Sequence, residues 1–164
     1  MSASFDSSQF RAVLGHVPTS VVVVTGLNAQ GVAFGLTIGS FVSVSLDPPL
    51  VGFFPGVRSQ SWAAIRESGR FCVNVLGSHQ DEACWRFAKE GDDKFAGVEW
   101  LPSAGGCPVL PGSIAWIDCE IDSETVMGDH TCVVGRVTSL DHAEEVENAM
   151  VFFRGKVSSV KHGG

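Results

Sequence analysis

Thr37-Ile-Gly-Ser-Phe-Val-Ser-Val-Ser-Leu-Asp-Pro-Pro-Leu-Val51 is the stretch on which the fold turns. From Phe41 to Leu46 large apolar residues alternate with Ser, the period of a strand with one apolar and one polar face. Asp47-Pro48-Pro49 breaks that strand, because neither proline can donate to a ladder. Residues 50–54 start another, which Pro55-Gly56 turns. Upstream, residues 20–25 (SVVVVT) form a continuous β-branched run, the mark of a strand buried on both faces. Asn28-Ala29-Gln30-Gly31 is turn chemistry and an apolar run resumes at Val32, so these two strands form a hairpin.

Outward from there, strands continue to outnumber helices. Ser7 caps a short helix that carries Phe10, Val13 and Leu14 on one face and ends at Gly15. Ser59 caps a second over residues 59–68, with Trp62, Ile65 and Arg66 on one side and Gly69 as the stop. A strand at 71–76 precedes a third helix at 79–89, whose inner face holds Ala83, Phe87 and Ala88. Residues 91–112 read as irregular. Two long strand segments, 113–126 and 131–140, are broken by Gly128-Asp129-His130, and two more (150–153 and 157–160) flank Arg154-Gly155-Lys156. The expected fold is mainly β: an antiparallel barrel with a few short peripheral helices, one domain over residues 1–164.

Composition narrows the function. Hydrophobic residues make up 45% and charged residues 18% of 164, enough apolar surface for a real core and against disorder. A net charge of −7 speaks against a nucleic-acid partner, so any anionic ligand has to be held locally by a few Arg, Ser or backbone N–H groups. The start, MSASFDSSQF, has neither a basic region nor an apolar segment, and the run Val21-Val22-Val23-Val24 is far too short to span a membrane. Five cysteines with no C-x-x-C pair read as reduced thiols in a cytoplasmic protein.

Sequence motifs exclude more than they select. Neither G-x-G-x-x-G nor G-x-x-x-x-G-K-[ST] occurs, so a nucleotide would not bind in the Rossmann or P-loop manner. The histidines have no metal-ligand spacing, and no metal site is expected. His130 and Cys132 would share a strand face, a possible nucleophilic pair; the plainer reading is a turn at Gly128-Asp129 with Cys132 entering the core. Thr37, Ser40, Ser43 and Ser45 place four hydroxyls on an apolar ground. They are poor nucleophiles without a base, yet good neutral donors to a phosphate or ribityl chain, or else merely solvated. Arg58-Ser59 at a helix start offers a cation and a hydroxyl to an anion, or is a plain cap.

Taken in order, TIGSFVSVSLDPPLV (37–51), RSQSWAAIRESGRFCVN (58–74), Arg86-Phe87-Ala88 with Asp93-Lys94-Phe95, Gly128-Asp129-His130-Thr131 and Phe152-Phe153-Arg154-Gly155 resemble the short-chain flavin reductases of the FMN-binding split-barrel fold. These are reductase components of two-component monooxygenases. The resemblance implies an antiparallel Greek-key split barrel, a homodimer with shared sites, and FMN or FAD bound with NADH or NADPH as co-substrate. It places flavin at Thr37, Ser40, Phe41, Val42 and Ser43, its ring near Phe54, Pro55 and Gly56, and its phosphate or dinucleotide end at Arg58, Ser59, Ser61 and Arg86. It places the nicotinamide nucleotide at Asp129, His130 and Arg154. Gly39 departs from a frequent Ser, and Lys156-Val157 from a basic–aromatic pair.

Such an enzyme needs no catalytic side chain of its own. The flavin carries the chemistry, and nicotinamide C4 has to come within about 3–3.5 Å of flavin N5. Two alternatives are a split-barrel oxidase with tightly bound FMN, like pyridoxamine-phosphate oxidase, and a flavin-binding module without turnover. Loss of NADH absorbance that scales with added flavin supports only the reductase.

Overall fold

The β-branched run changes sheets partway along. A computed structural model describes residues 4–91, 93–145 and 148–163. In it the run divides into Thr19–Ser20 (β1) and Val22–Leu27 (β2), with Val21 between them. Strand β1 pairs with Asn148–Phe153 (β11), and β11 with Lys156–Lys161 (β12), giving a three-stranded sheet. Strand β2 lies in a seven-stranded sheet with Ala33–Ile38 (β3), Val42–Ser45 (β4), Leu50–Phe53 (β5), Arg70–Val75 (β6), Ala115–Met127 (β9) and His130–His142 (β10). Their order is β3-β2-β6-β9-β10-β5-β4, every pairing antiparallel. This is the expected split barrel. Leu101–Pro102 (β7) and Pro108–Val109 (β8) make a small ladder inside the stretch expected to be irregular.

Both faces of β2 are buried, as the β-branched run predicts. Val22 and Val24 pack with Phe53, Trp62, Ile65 and Phe71 on one side; Val21 and Val23 pack with Leu76, Cys84, Phe87 and Met150 on the other. Phe53, Trp62 and Phe71 meet edge to face, with ring centroids 5.1, 5.2 and 5.8 Å apart, the arrangement ring quadrupoles favour. The Asn28 side chain closes the β2–β3 turn by accepting from the N–H groups of Gln30 and Val32, and Gly31 takes the left-handed conformation there.

Helices Ser7–Leu14 (α1), Gln60–Ile65 (α2) and Asp81–Ala88 (α3) form where expected, with differences. Asp6, not Ser7, caps α1 by accepting from the Gln9 N–H, and no α1 residue is buried. Ser59 caps α2 as expected, and a 3-10 turn at Arg66–Ser68 leads to left-handed Gly69. The inner face of α3 is Cys84 and Phe87 with Ala83 packed beside them as expected, while Ala88 is exposed. Strand β4 alternates apolar and Ser residues as expected, giving one apolar and one polar face. It is the outer edge of the sheet, so that face, Val42 and Val44, is exposed.

Candidate functional site

A groove of about 980 Å³ runs along the end of β3, the loop after β5, the start of α2, the end of α3 and the tip of the β9–β10 hairpin. Ten of the residues singled out in the sequence line it: Thr37, Ser40, Phe54, Pro55, Gly56, Arg58, Ser59, Ser61, Asp129 and His130. Five stand outside it. Phe41 packs against the core. Val42 and Ser43 sit on edge strand β4, and Arg86 spends its guanidinium on Glu82 and the Ala96 carbonyl. Arg154 is in the β11–β12 turn, where its N–H donates to the Gly15 carbonyl at 2.9 Å.

The hydroxyls that face the groove are not equivalent. Ser40 Oγ accepts from the Phe54 N–H at 3.0 Å, tying the loop after β3 to the loop after β5. Thr37 donates to the Cys84 carbonyl at 2.7 Å, and Ser59 accepts from the Trp62 N–H at 3.2 Å. These three keep lone pairs or a proton for a ligand but also hold the walls together. Ser61 is 7% exposed, and its hydroxyl meets no hydrogen-bond partner among the described residues. Its side chain faces the groove.

Charge in the groove runs against that of the chain. Arg58, Lys89 and Lys94 line it with Glu90 and Asp129. Arg58 makes no ion pair among the described residues. Lys94, assigned no role in the sequence, folds back so that Nζ donates to the carbonyls of Gly35 and Phe87, each at 3.2 Å. Burial lowers its pKa, opposed by the Glu90 charge. Its sequence context, Asp93-Lys94-Phe95, carries no sign of this contact, which joins residues 59 positions apart. A locally positive groove in an acidic chain is what a phosphate-bearing ligand requires.

At the other end, the hairpin tip is pinned. Gly56 and His130 face each other in a single antiparallel bridge. The Val57 N–H donates to the Asp129 carbonyl at 3.0 Å, and the Thr131 N–H to the Pro55 carbonyl at 2.9 Å. Gly128 adopts φ +63, which its lack of Cβ permits. Asp129 Oδ1 lies 2.7 Å from His130 Nδ1. The hydrogen bond from His130, with its charge, holds the Asp129 carboxyl below the usual carboxylate range. With Nδ1–H donating, the neutral imidazole keeps Nε2 as an acceptor.

The groove fits a flavin. Its volume is at the upper end of the roughly 300–1,000 Å³ of small-molecule sites, and Ser61 and Arg58, with the one N–H that Lys94 keeps free of the Gly35 and Phe87 carbonyls, supply donors for a phosphate. The half-buried thiol of Cys132, by contrast, lines no part of it.

Comparison with known proteins agrees with this geometry. Residues 14–161 match the model of the flavin reductase-like domain. A flavin reductase of Pseudomonas putida is 45% identical over 153 residues, covering 93% of this chain and 89% of that protein. The reductase subunit HsaB of a flavin-dependent monooxygenase from Rhodococcus jostii is 44% identical, covering 96% and 80%. Among solved structures, a homologue of nitrilotriacetate monooxygenase component B from Mycobacterium thermoresistibile superposes with TM-score 0.90 at 41% identity, covering 95% and 87%. A Streptomyces globisporus NADH:FAD oxidoreductase in complex with NAD and FAD fragments superposes with TM-score 0.83 at 32% identity, covering 96% and 94%.

Proposed function

Since the chain belongs to the flavin reductase-like family, we infer that it reduces FMN or FAD with NADH or NADPH and supplies the reduced flavin to a separate monooxygenase. The observation that carries this reading is one groove that gathers several hydroxyls, the cations Arg58, Lys89 and Lys94, and a pinned histidine. Flavin supplies the hydride acceptor when bound; the protein supplies position and electrostatics.

In this reading Ser61, Arg58 and Lys94 bind the flavin phosphate, and Thr37, Ser40 and Ser59 line its polar edge. Phe54, Pro55 and Gly56 give the ring a flat, largely apolar bed. His130 holds the nicotinamide half, its Nε2 accepting from an amide N–H, and Asp129 fixes the imidazole tautomer. No side chain moves a proton in the hydride step.

Val42, Ser43 and Arg154 stand off the groove of their own chain, which supports a site completed by a second copy. Edge strand β4, with Val42 and Val44 exposed, is a surface such a homodimer would cover. We place the reaction in the cytoplasm, where free thiols stay reduced; among the described residues no helix is long and apolar enough to cross a membrane.

The test mixes purified protein with NADH or NADPH and free FMN or FAD, following absorbance at 340 nm. Rapid loss that scales with added flavin is expected. Loss independent of added flavin, or none, overturns the reading.

A further inference from the structure

The β9–β10 hairpin outgrows the sheet that carries it. Strand β6 pairs with β9 only as far as Glu120, and β5 pairs with β10 only as far as Val133. The root of the projecting arm holds a bulge: Asp122 is an extra residue between the pairs Ile121–Gly135 and Ser123–Val134. A bulge bends and twists the strand that contains it, so the arm changes direction where it leaves the sheet. Its tip bears Asp129 and His130.

Two attachments hold this arm. One is the backbone bridge of His130 to Gly56, which ties the tip to the loop after β5. The other is a single side chain. Trp62 Nε1 donates to Glu124 Oε1 at 2.9 Å, and Arg66 donates to Glu124 Oε2 through Nε at 3.2 Å and Nη2 at 2.8 Å. Trp62 is 4% exposed and packs edge to face on Phe53 and Phe71, so the Glu124 contact reaches the core. Among the described residues no other side-chain hydrogen bond joins the arm to α2 or to the 3-10 turn after it. A cavity of about 200 Å³ is walled by Trp62, Ala63 and Arg66 of that segment and by Glu124, Val126 and Thr131 of the arm. Close packing therefore does not replace the Glu124 contact. Trp62, Arg66 and Glu124 do not line the groove themselves.

We propose that Glu124 is a positioning residue for the hydride step, acting as a strut that sets the arm against α2. The proposal rests on the flavin and nicotinamide reading of the groove. The bridge makes His130 and the loop at Gly56 one unit. In that reading the phosphate end of the flavin is held on the opposite wall, by Ser61 of α2 and by Lys94, which is bonded to carbonyls of β3 and α3. Glu124 aligns the unit with that wall. Without it the arm pivots at its bulge: the groups that touch each ligand all remain, but the two ligands lose their alignment. A displacement of about 1 Å can cost about a hundredfold in rate.

Two measurements on Glu124→Ala test this. Backbone ¹⁵N relaxation of the ligand-free protein is expected to show added motion at the Val57, Val126 and Gly128 amides and none in β2. Stopped-flow mixing of the protein–flavin complex with saturating NADH reads flavin reduction directly. Its limiting rate is expected to fall about tenfold to a hundredfold, while flavin Kd and the NADH concentration at half-maximal rate are unchanged. Arg66→Ala leaves Glu124 bound to Trp62 and should fall between; it reads the same attachment from an exposed residue should Glu124→Ala fold poorly. Met150→Ala, which empties part of the cluster on the other side of β2, should lower Tm with the rate kept. Wild-type relaxation at the three amides, or a wild-type limiting rate in the folded variant, overturns the proposal. So does a loss of flavin or NADH affinity comparable to the loss in rate, or an equal slowing in Met150→Ala at a like fall in Tm. Wild-type protein that reduces no flavin sinks the reductase reading instead, and the relaxation data still decide whether Glu124 holds the arm.

Discussion

Gly56 and His130 lie opposite each other in an antiparallel bridge, so the loop assigned to the flavin ring and the residue assigned to the nicotinamide are held in one register. The flanking bonds, Val57 N–H to Asp129 and Thr131 N–H to Pro55, make the two halves of the groove move together. Relative position here is a property of the backbone, which a side-chain substitution leaves standing.

His130→Ala should therefore raise KM for NADH, leave flavin affinity intact and lower kcat only modestly. Loss of one hydrogen bond, worth about 0.5–1.5 kcal/mol, corresponds to roughly twofold to tenfold. Steady-state kinetics check it: an unchanged KM with turnover near zero would make His130 an obligatory proton donor. The depressed Asp129 carboxyl stays ionised from pH 5.5 to 8.5 and loses its pairing only as pH falls through its lowered pKa. Asp129→Ala, not acidification within that range, is what releases the imidazole.

Ser61→Ala and Ser40→Ala should separate binding from support. The Ser61 hydroxyl has no protein partner among the described residues, so its removal leaves Tm unchanged. It weakens flavin binding by about tenfold to a hundredfold, the 1.5–3 kcal/mol of a hydrogen bond to a charged group. Ser40 accepts from the Phe54 N–H. Its loss leaves that donor unpaired, costing about 1–3 kcal/mol and lowering Tm by roughly 2–4 °C per kcal/mol. Melting curves and flavin titrations on both variants check the contrast, and equal Tm losses would contradict it.

Gly135→Ala should destabilise without touching the site. The added Cβ would run into the ring of buried Phe71 and stand 3.0 Å from Cys119 Cβ, overpacking worth about 1–3 kcal/mol. Thermal melts should show the drop while flavin titration at 25 °C is unaffected.

Thiol labelling under native conditions should mark Cys132 alone. Burial raises the pKa of the Cys72, Cys84, Cys107 and Cys119 thiols, Cys107 to about 11 and Cys119 to about 12, with the Asp118 charge adding to the rise in these two and in Cys72. Thiolate is the reactive form, so iodoacetamide at pH 8 should give one adduct by mass spectrometry. Cys132→Ser should keep full turnover; its loss with folding intact would revive the nucleophile reading.

How much of this was legible from residues alone depends on the range of the interaction. Local chemistry was readable: the Asn28 turn, the Ser59 cap, the Gly69 stop and the two-sided burial of β2 all follow from neighbours in sequence. The exposure of Val42 and Val44 was not, because alternation predicts a face and not whether another strand lies against it. The site's membership came from motif resemblance, and geometry then split it. Chain direction at Gly39-Ser40 leaves Thr37 and Ser40 on the groove and carries Phe41 to the core. Lys94 escaped notice because its role depends on carbonyls of β3 and α3, which only the folded chain brings to its ammonium.

Strand β2 and the Val21 that precedes it feed both hydrophobic clusters, Val22 and Val24 into one and Val21 and Val23 into the other. Amide hydrogens of β2 and of its neighbour β6 can therefore reach solvent only when both clusters open. Their exchange should be the slowest in the chain and should track global unfolding rather than any local fluctuation. A substitution that loosens either cluster would speed exchange in both, even where the two share no side-chain contact.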